Sequence, residues 1–469
     1  MSAHALRELP LPPRLVAVAG LFLCFSAGAL VARHLPTGLA VVFAILYTPL
    51  VLINLPAGLA VWIALVFIEH LPVLDVGPTA ASLLVLAGWA GTIGSRRSLA
   101  QPFAKSARFL PAAVGLLLAW LSLSALWAHD PGQSGFALVD WLVAAVIFGV
   151  VATTITSHKQ VVLVMLGFVC GALLSVVIGL VVNGLSGVSS AYETATQTEG
   201  RLSGGSGDPN YLAAGVVPAI VLAAGLFQQL RGALSRLGLS VALVILVTGL
   251  AATQSRGGLL AACGALVASL VIMRGRRRYV LLVVGVIVVI GGLWFSSNPA
   301  ALQRVTSSDQ GGNGRTELWA VAWRMGADHP LVGVGLNNYL VRSPEYARDV
   351  GTLRFAELIA ERPHVAHNAY LQLFAETGLI GLALFLIVVC GCLRLIRDAS
   401  RRFTVAGDGL GTALASTLLI AILSALFASF FLSNGPDKRL WFLLGLVPPL
   451  LTLARSAPVS REYASQERD

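Results

Sequence analysis

The sequence predicts an all-α fold, a polytopic transmembrane helix bundle of about 12–14 spans with one large external loop. Three observations predict it. The 469 residues are 57% hydrophobic and 12% charged, with a mean hydropathy of +0.82, whereas a water-facing domain carries roughly 25% charged residues. Apolar runs near the length that crosses a bilayer, about 20 residues, recur along the whole chain. The basic residues gather in short loops between those runs, which is how membrane proteins set their orientation. The net charge of +10 therefore reads as topology, not as a nucleic-acid surface.

Candidate spans fall near 15–33, 37–54, 56–72, 79–95, 109–128, 137–156, 161–184, 211–229, 238–254, 257–273, 279–295, 369–393, 409–432 and 439–454. The early ones are short and broken by Pro36, Pro49, Pro56 and Pro72, and two of them can form one re-entrant element. Arg7 and Arg14 before the first run give it the look of a signal peptide. The next run follows at once, so it is read as a retained first span. Cys24, Cys170, Cys263, Cys390 and Cys392 all lie in apolar runs without a C-x-x-C pair. Neither a disulfide framework nor a zinc site is expected from them. The chain divides into N-terminal spans (1–200), spans carrying an S-R-G-G motif (201–295), the large external loop (296–368), C-terminal spans (369–454) and a tail (455–469).

If the spans alternate, one side collects fifteen basic residues: Arg96, Arg97, Lys105, Arg108, Lys159, Arg231, Arg236, the Arg of 274–278 and those of 394–402. That side is expected to be cytoplasmic, with both termini on it. The loop 296–368 lies opposite and balances seven Arg against seven acids; long loops cross largely regardless of charge.

Chemistry is expected on the external side, because a long loop inside a compact chain is usually functional. Residues 315–326, R-T-E-L-W-A-V-A-W-R-M-G, bring Leu318, Ala322 and Met325 to one helical face beside Trp319 and Trp323. This reads as an amphipathic helix, either on the membrane surface or packed on the bundle. Arg315 follows G-G-N-G, a lead-in that exposes backbone amides beside a guanidinium; the plainer reading is a solvated helix-start Arg. Arg256, in T-Q-S-R-G-G, has almost no loop around it and sits at the external membrane edge, where a charge is functional or snorkels. Asp208-Pro209 starts a helix, with Asp208 either its cap or a supporting site residue beside Asn210. Arg201 is a third external Arg. His364 and His367 lie where the loop re-enters the membrane; a zinc reading lacks further ligands at a known spacing. Guanidinium groups beside an imidazole base suit transfer from a diphosphate leaving group. No metal and no cofactor are expected.

At these residues the sequence resembles the O-antigen ligase and polymerase superfamily of bacterial membrane proteins. The ligase loop motif is His, then Asn, Ser or Gln, nine residues, Gly, two residues, then Gly, Thr or Tyr. It reads here as His367, Asn368, nine residues to Thr377, then Gly378, Leu379, Ile380 and Gly381. H-P-L-V-G-V-G-L-N-N-Y at 329–339, S-R-G-G at 255–258 and D-P-N-Y-L-A at 208–213 are also similar to the family. The likeness covers roughly 200–395. It implies a fold similar to membrane glycosyltransferases that use lipid-linked sugars, in the bacterial inner membrane with the site facing the periplasm. It implies an inverting, metal-independent transfer from an undecaprenyl-diphosphate-linked glycan to lipid A–core, or to another lipid-linked repeat unit in a polymerase. His367 would be the base and Arg256 and Arg315 would hold the diphosphate with Arg201. His364 and Asn368 would support them, Asn368 by orienting His367 or capping the helix. D-P-N-Y-L-A also resembles superfamily members that are not lipopolysaccharide ligases, so an exopolysaccharide transferase stays open. A transporter of lipid-linked sugars would place polar groups at mid-depth and show internal repeats, and a scaffold would tolerate changes at all four cations.

Overall fold

The computed structural model describes residues 35–71, 77–94, 107–186, 200–306, 315–349, 361 and 363–456. The first expected span, Arg96, Arg97, Lys105, the G-G-N-G lead-in at 311–314 and the tail beyond Ser456 lie outside the described residues. Within them the chain is all helical: α1 (Leu35–Ile53), α2 (Leu55–Val66), α3 (Gly77–Gly94), α4 (Phe109–Ser124), α5 (Pro131–Thr154) and α6 (His158–Ser186). α7 (Pro209–Gln229), α8 (Ala233–Ala252), α9 (Arg256–Ile272) and α10 (Arg277–Ser297) follow. The long connection after α10 carries α11 (Pro299–Thr306), α12 (Arg315–Asp328) and α13 (Tyr339–Asp349). α14 (Ala369–Val405), α15 (Gly409–Ala428), α16 (Lys438–Gly445) and α17 (Val447–Ser456) close the chain.

Among the described residues, seven helices are long and apolar enough to cross a membrane, and five shorter apolar helices accompany them. α1 and α2 are two helices hinged at Asn54, whose side chain accepts the N–H of Ala57. The last pass is split into α16 and α17 ahead of Pro448 and Pro449. Lipid offers no hydrophobic gain for helix association, so close packing of small residues has to supply it. Gly167 and Gly171 of α6 lie directly on Ala60 and Ala64 of α2, where added Cβ atoms would meet backbone atoms 2.8 and 2.6 Å away. Gly225 of α7 likewise receives Thr417 of α15. α7 and α15 form the centre, with 72% of each apolar window buried, whereas α10 stands at the rim with 6%.

The two ends of the bundle differ. One end collects Lys159, Arg231, Arg236, Arg274, Arg276 and the Arg of 394–402, with Arg276 bonded to Gln228 and His158 paired to Asp408. The other collects 200–208, 253–256, 298–306, 315–349 and 363–368, joined by backbone bonds such as Leu202 N–H to Ala252 and Ala369 N–H to Ser429.

Candidate functional site

The site is built where short connections meet helix starts. Gly207 turns the chain at φ +73°, and Asp208 then caps α7, its Oδ1 accepting the N–H groups of Asn210 (2.7 Å) and Tyr211 (3.0 Å). Pro209 takes the first helical position, where no N–H is needed. Arg201 reaches across this turn: Nε donates to the Thr253 carbonyl (2.9 Å) and Nη2 to Asn210 Oδ1 (3.1 Å). Asn210 Oδ1 also accepts from Ser255 Oγ (2.8 Å). Ser255 itself caps α9 by accepting the Gly258 N–H (3.2 Å). Arg256 is thereby fixed as the first residue of α9, and its Nη2 donates to the Arg304 carbonyl at 2.6 Å. The two glycines after it are a packing need. A Cβ at Gly257 would stand 2.6 Å from Phe431 Cβ, and one at Gly258 2.6 Å from Ala213 Cβ.

The other half comes from the long connection between α10 and α14. α12 packs on the bundle through Leu318, Val321, Ala322 and Met325, and Tyr339 Oη holds the Leu318 carbonyl at 2.9 Å. Trp319 faces Phe431 with ring centroids 6.5 Å apart, while Trp323 is 62% exposed beside Phe374. α12 is therefore both packed and open to its surroundings along one edge. Arg315 stands at its first residue. His367 precedes the α14 cap with φ +49°, a conformation that His tolerates better than most residues. Asn368 caps α14, its Oδ1 accepting from Tyr370 N–H and Leu371 N–H at 3.0 Å each.

The second half of the motif explains itself in the structure. Gly378 adopts φ +67° and breaks α14, freeing backbone groups on both sides of the break. The segment 330–335 satisfies them: Val334 N–H and Gly335 N–H donate to the carbonyls of Ala375 and Glu376 (3.0 and 2.8 Å), and Leu379 N–H donates to Pro330 (2.8 Å). Trp120 Nε1 takes the Thr377 carbonyl at 3.0 Å. A Cβ at Gly378 would strike the Leu331 carbonyl, and one at Gly381 would strike Thr377 Oγ1. Glu376, buried beneath this crossing, accepts from Asn337 N–H (2.9 Å) and Gln372 Nε2 (2.9 Å). Asn338 fastens the same segment to α5 by exchanging bonds with the Asp130 backbone (2.7 and 3.1 Å).

Electrostatics ties both halves into one neighbourhood. Burial, helped by the charges of Arg304 and Arg315 and opposed by Asp208, lowers Arg201 to about 10. Arg315 is also lowered by burial and by Arg256, against Asp208. Burial lowers His367 to about 4, helped by Arg315 and His364 and opposed by Asp208. Its Nδ1 is buried without a hydrogen-bond partner. The structure thus brings Arg201, Arg256, Arg315, His364, His367 and Asp208 together, with Asn210 and Asn368 holding the helix starts beneath them. Such an excess of cations around one carboxylate suits a multiply charged anion, and the neutral imidazole beside it suits proton abstraction.

Arg304 belongs to this set and the motifs do not mark it. Its signal is N-P-A-A at 298–301, a Pro-led helix start directly after a span that sets Arg304 one turn further on. Glu376 is marked only as a carboxylate beside an apolar run. Among the described residues no three His, Cys, Asp or Glu side chains gather as a metal site.

Residues 241–386, about a third of the chain, match the family model described as O-antigen ligase. The matched stretch holds Arg256, Arg304, Arg315, His367 and the glycines of the α14 break, and leaves out Arg201 and Asp208. No curated protein matches the chain.

Proposed function

On the premise that the chain carries an O-antigen ligase domain over residues 241–386, we propose that it transfers a glycan from undecaprenyl diphosphate to a sugar of lipid A–core. The observation that carries this reading is the meeting of Arg201, Arg256 and Arg315 with His367 at one end of the bundle. With its pKa near 4, His367 is neutral at physiological pH and can accept the proton of the acceptor hydroxyl. That oxygen attacks the anomeric carbon as the bond to the diphosphate oxygen breaks, with inversion. The guanidinium groups take up the charge that develops on the leaving diphosphate, where preorganised donors act most strongly. His364 stands beside His367 as a supporting residue. Neither step calls for a metal.

The end rich in basic residues is the cytoplasmic one in this reading, with both termini there, because Lys and Arg are retained on that side. The site end then faces the periplasm, at the inner-membrane edge where a lipid-linked donor presents its headgroup. A transporter would hold its polar groups near mid-depth, whereas these lie at helix starts on one end.

The test is the product formed by purified protein from an undecaprenyl-diphosphate-linked glycan. Glycan joined to lipid A–core supports the ligase reading. Glycan joined only to a second lipid-linked unit supports a polymerase built on the same chemistry. Normal product from both His367→Ala and Arg256→Ala rejects transfer at this site.

A further inference from the structure

A basic chamber lies at the end of the bundle away from the Arg–His cluster. α7 fixes the separation. It starts at the Asp208 cap, and its last residues, Phe227, Gln228 and Gln229, line the chamber. Its 21 residues put about 30 Å between the two. The chamber, of about 670 Å³, is also walled by Arg231, Arg236 and Arg276. These come from the α7–α8 connection, the first turn of α8 and the lead-in to α10.

Its charge is one-sided, since no carboxylate is among the described residues that line it. Asp408, next to the lining residue Gly409, is already engaged: it pairs with His158 at 3.3 Å and accepts the Gly411 N–H at 2.8 Å. The arginines are positioned without being neutralised. Arg276 Nη1 donates to Gln228 Oε1 (2.7 Å), and Arg236 Nε donates to the Leu230 carbonyl (3.1 Å). Arg236 also lies over the Phe227 ring at 5.9 Å. A guanidinium carries five N–H donors, so each of these two keeps several for an anion.

The chamber adjoins an apolar groove, and Gln228 and Tyr279 belong to both. The groove is walled by Val217 and Ile220 of α7, Ala265 and Leu266 of α9, and Val283 and Ile287 of α10. Tyr279 Oη donates to the Ala224 carbonyl at 3.0 Å and ties α10 to α7 where chamber and groove meet. Beyond that tie α10 is poorly packed: Val280 alone among its residues is buried. Val283 and Ile287 are half-buried on the side that faces the groove. A free phosphate would meet the arginines and leave the groove unfilled. A phosphate that carries an acyl chain fits both, and basic pockets between membrane helices hold phospholipid headgroups on these terms.

We propose that the chamber and groove bind an anionic glycerophospholipid, its phosphate among Arg231, Arg236 and Arg276 and one acyl chain between α10 and α7. The chain supplies the packing that α10 lacks, and the headgroup neutralises arginines that come from three separate connections. The bound lipid is no substrate: about 30 Å of helix lies between it and the Arg–His cluster.

The experiment is photolabelling of the full chain in phosphatidylcholine nanodiscs with a trace of phosphatidylglycerol that bears a diazirine in one acyl chain. Phosphatidylcholine with the same diazirine is the second arm. Phosphatidylglycerol is expected to label peptides of α9 and α10 at least about fivefold more, the weight of one basic residue at an anionic headgroup. Arg231→Gln, Arg236→Gln and Arg276→Gln, combined at three exposed positions, should abolish that preference. Val283→Trp should lower phosphatidylglycerol labelling by filling the groove. An excess of sn-glycerol 3-phosphate should leave the labelling unchanged. Equal labelling by both lipids in the parent overturns the proposal, since α10 then meets the bilayer without regard to charge. A preference that survives the triple variant, or labelling that survives Val283→Trp, overturns it as well. Displacement by glycerol phosphate does the same, because the arginines then take a phosphate without the groove.

Discussion

His367 is held at φ +49° one residue ahead of the α14 cap, with one ring nitrogen buried and unpartnered. Its role can be separated from its backbone. Asn tolerates the same left-handed conformation but cannot act as the base. His367→Asn is expected to fold normally and lose about 10²–10⁴ in turnover, measured as glycan transferred per unit time. Protonation gives a second prediction. The folded value of about 4 lies below the ordinary 6.5, so His367 stays neutral between about pH 5 and 7 and kcat/KM should not fall there through this group. A bound diphosphate raises the imidazole pKa, and the acid limb of kcat should therefore lie at higher pH than that of kcat/KM. Stability follows the same sign. The unfolded chain takes up this proton as pH falls through 6.5 and the folded chain not until about 4, so stability is complete above 6.5 and declines across that window. The cationic residues differ in what they already hold. Arg256 donates one guanidinium nitrogen to the Arg304 carbonyl. Arg256→Lys keeps the charge and loses the fork, and KM for the donor is expected to rise about tenfold or more. These residues were legible in the sequence because a charge at a membrane edge stands out against apolar runs. Arg304 was less so, because its local signal is only the Pro-led helix start at 298–301 and six other Arg share the loop.

At the scale of elements, the decisive feature is the break in α14. Gly378 frees carbonyls and N–H groups at a buried break in the helix, where unmet backbone groups are costly. The segment 330–335 and Trp120 satisfy them instead. Gly378→Ala puts a Cβ at a positive φ and against the Leu331 carbonyl. It is expected to destabilise by about 1–3 kcal/mol or more, read as a lower midpoint of thermal unfolding in detergent, and to lower transfer by shifting Asn368 and His367. The spacing His367-Asn368-x9-Gly378-x-x-Gly381 and the Gly-rich 329–339 segment are both plain in the sequence. That one lies across the other is not, because the partners are joined by long-range backbone bonds that leave no mark in side-chain periodicity. The helix starts were more legible: Asp208 and Asn368 cap their helices as their residue types and the following apolar runs imply.

For the whole molecule, hydropathy placed most helices within a few residues, since the bilayer demands length and apolarity from each pass. It did not separate centre from rim. α7 and α10 read alike as apolar runs, yet one is at the core and the other is mostly lipid-facing. Small residues make that difference, as Gly225 does for α7 against α15. The end that carries the site is also held by a buried ion pair, Asp437–Arg439, with Arg439 donating to the Tyr211 carbonyl at 2.9 Å. Asp437→Asn leaves that guanidinium uncompensated and is expected to cost about 3–5 kcal/mol, seen as a lower unfolding midpoint. Everything functional depends on the cluster binding an anion that the imidazole does not need in order to stay bound. The most direct measurement is the affinity of purified protein in nanodiscs for undecaprenyl diphosphate, taken for the parent, Arg256→Ala, Arg315→Ala and His367→Asn alongside their turnover. Each Arg variant should bind at least about tenfold more weakly, while His367→Asn binds as the parent does and does not turn over. Parent-like affinity in both Arg variants would contradict the assignment.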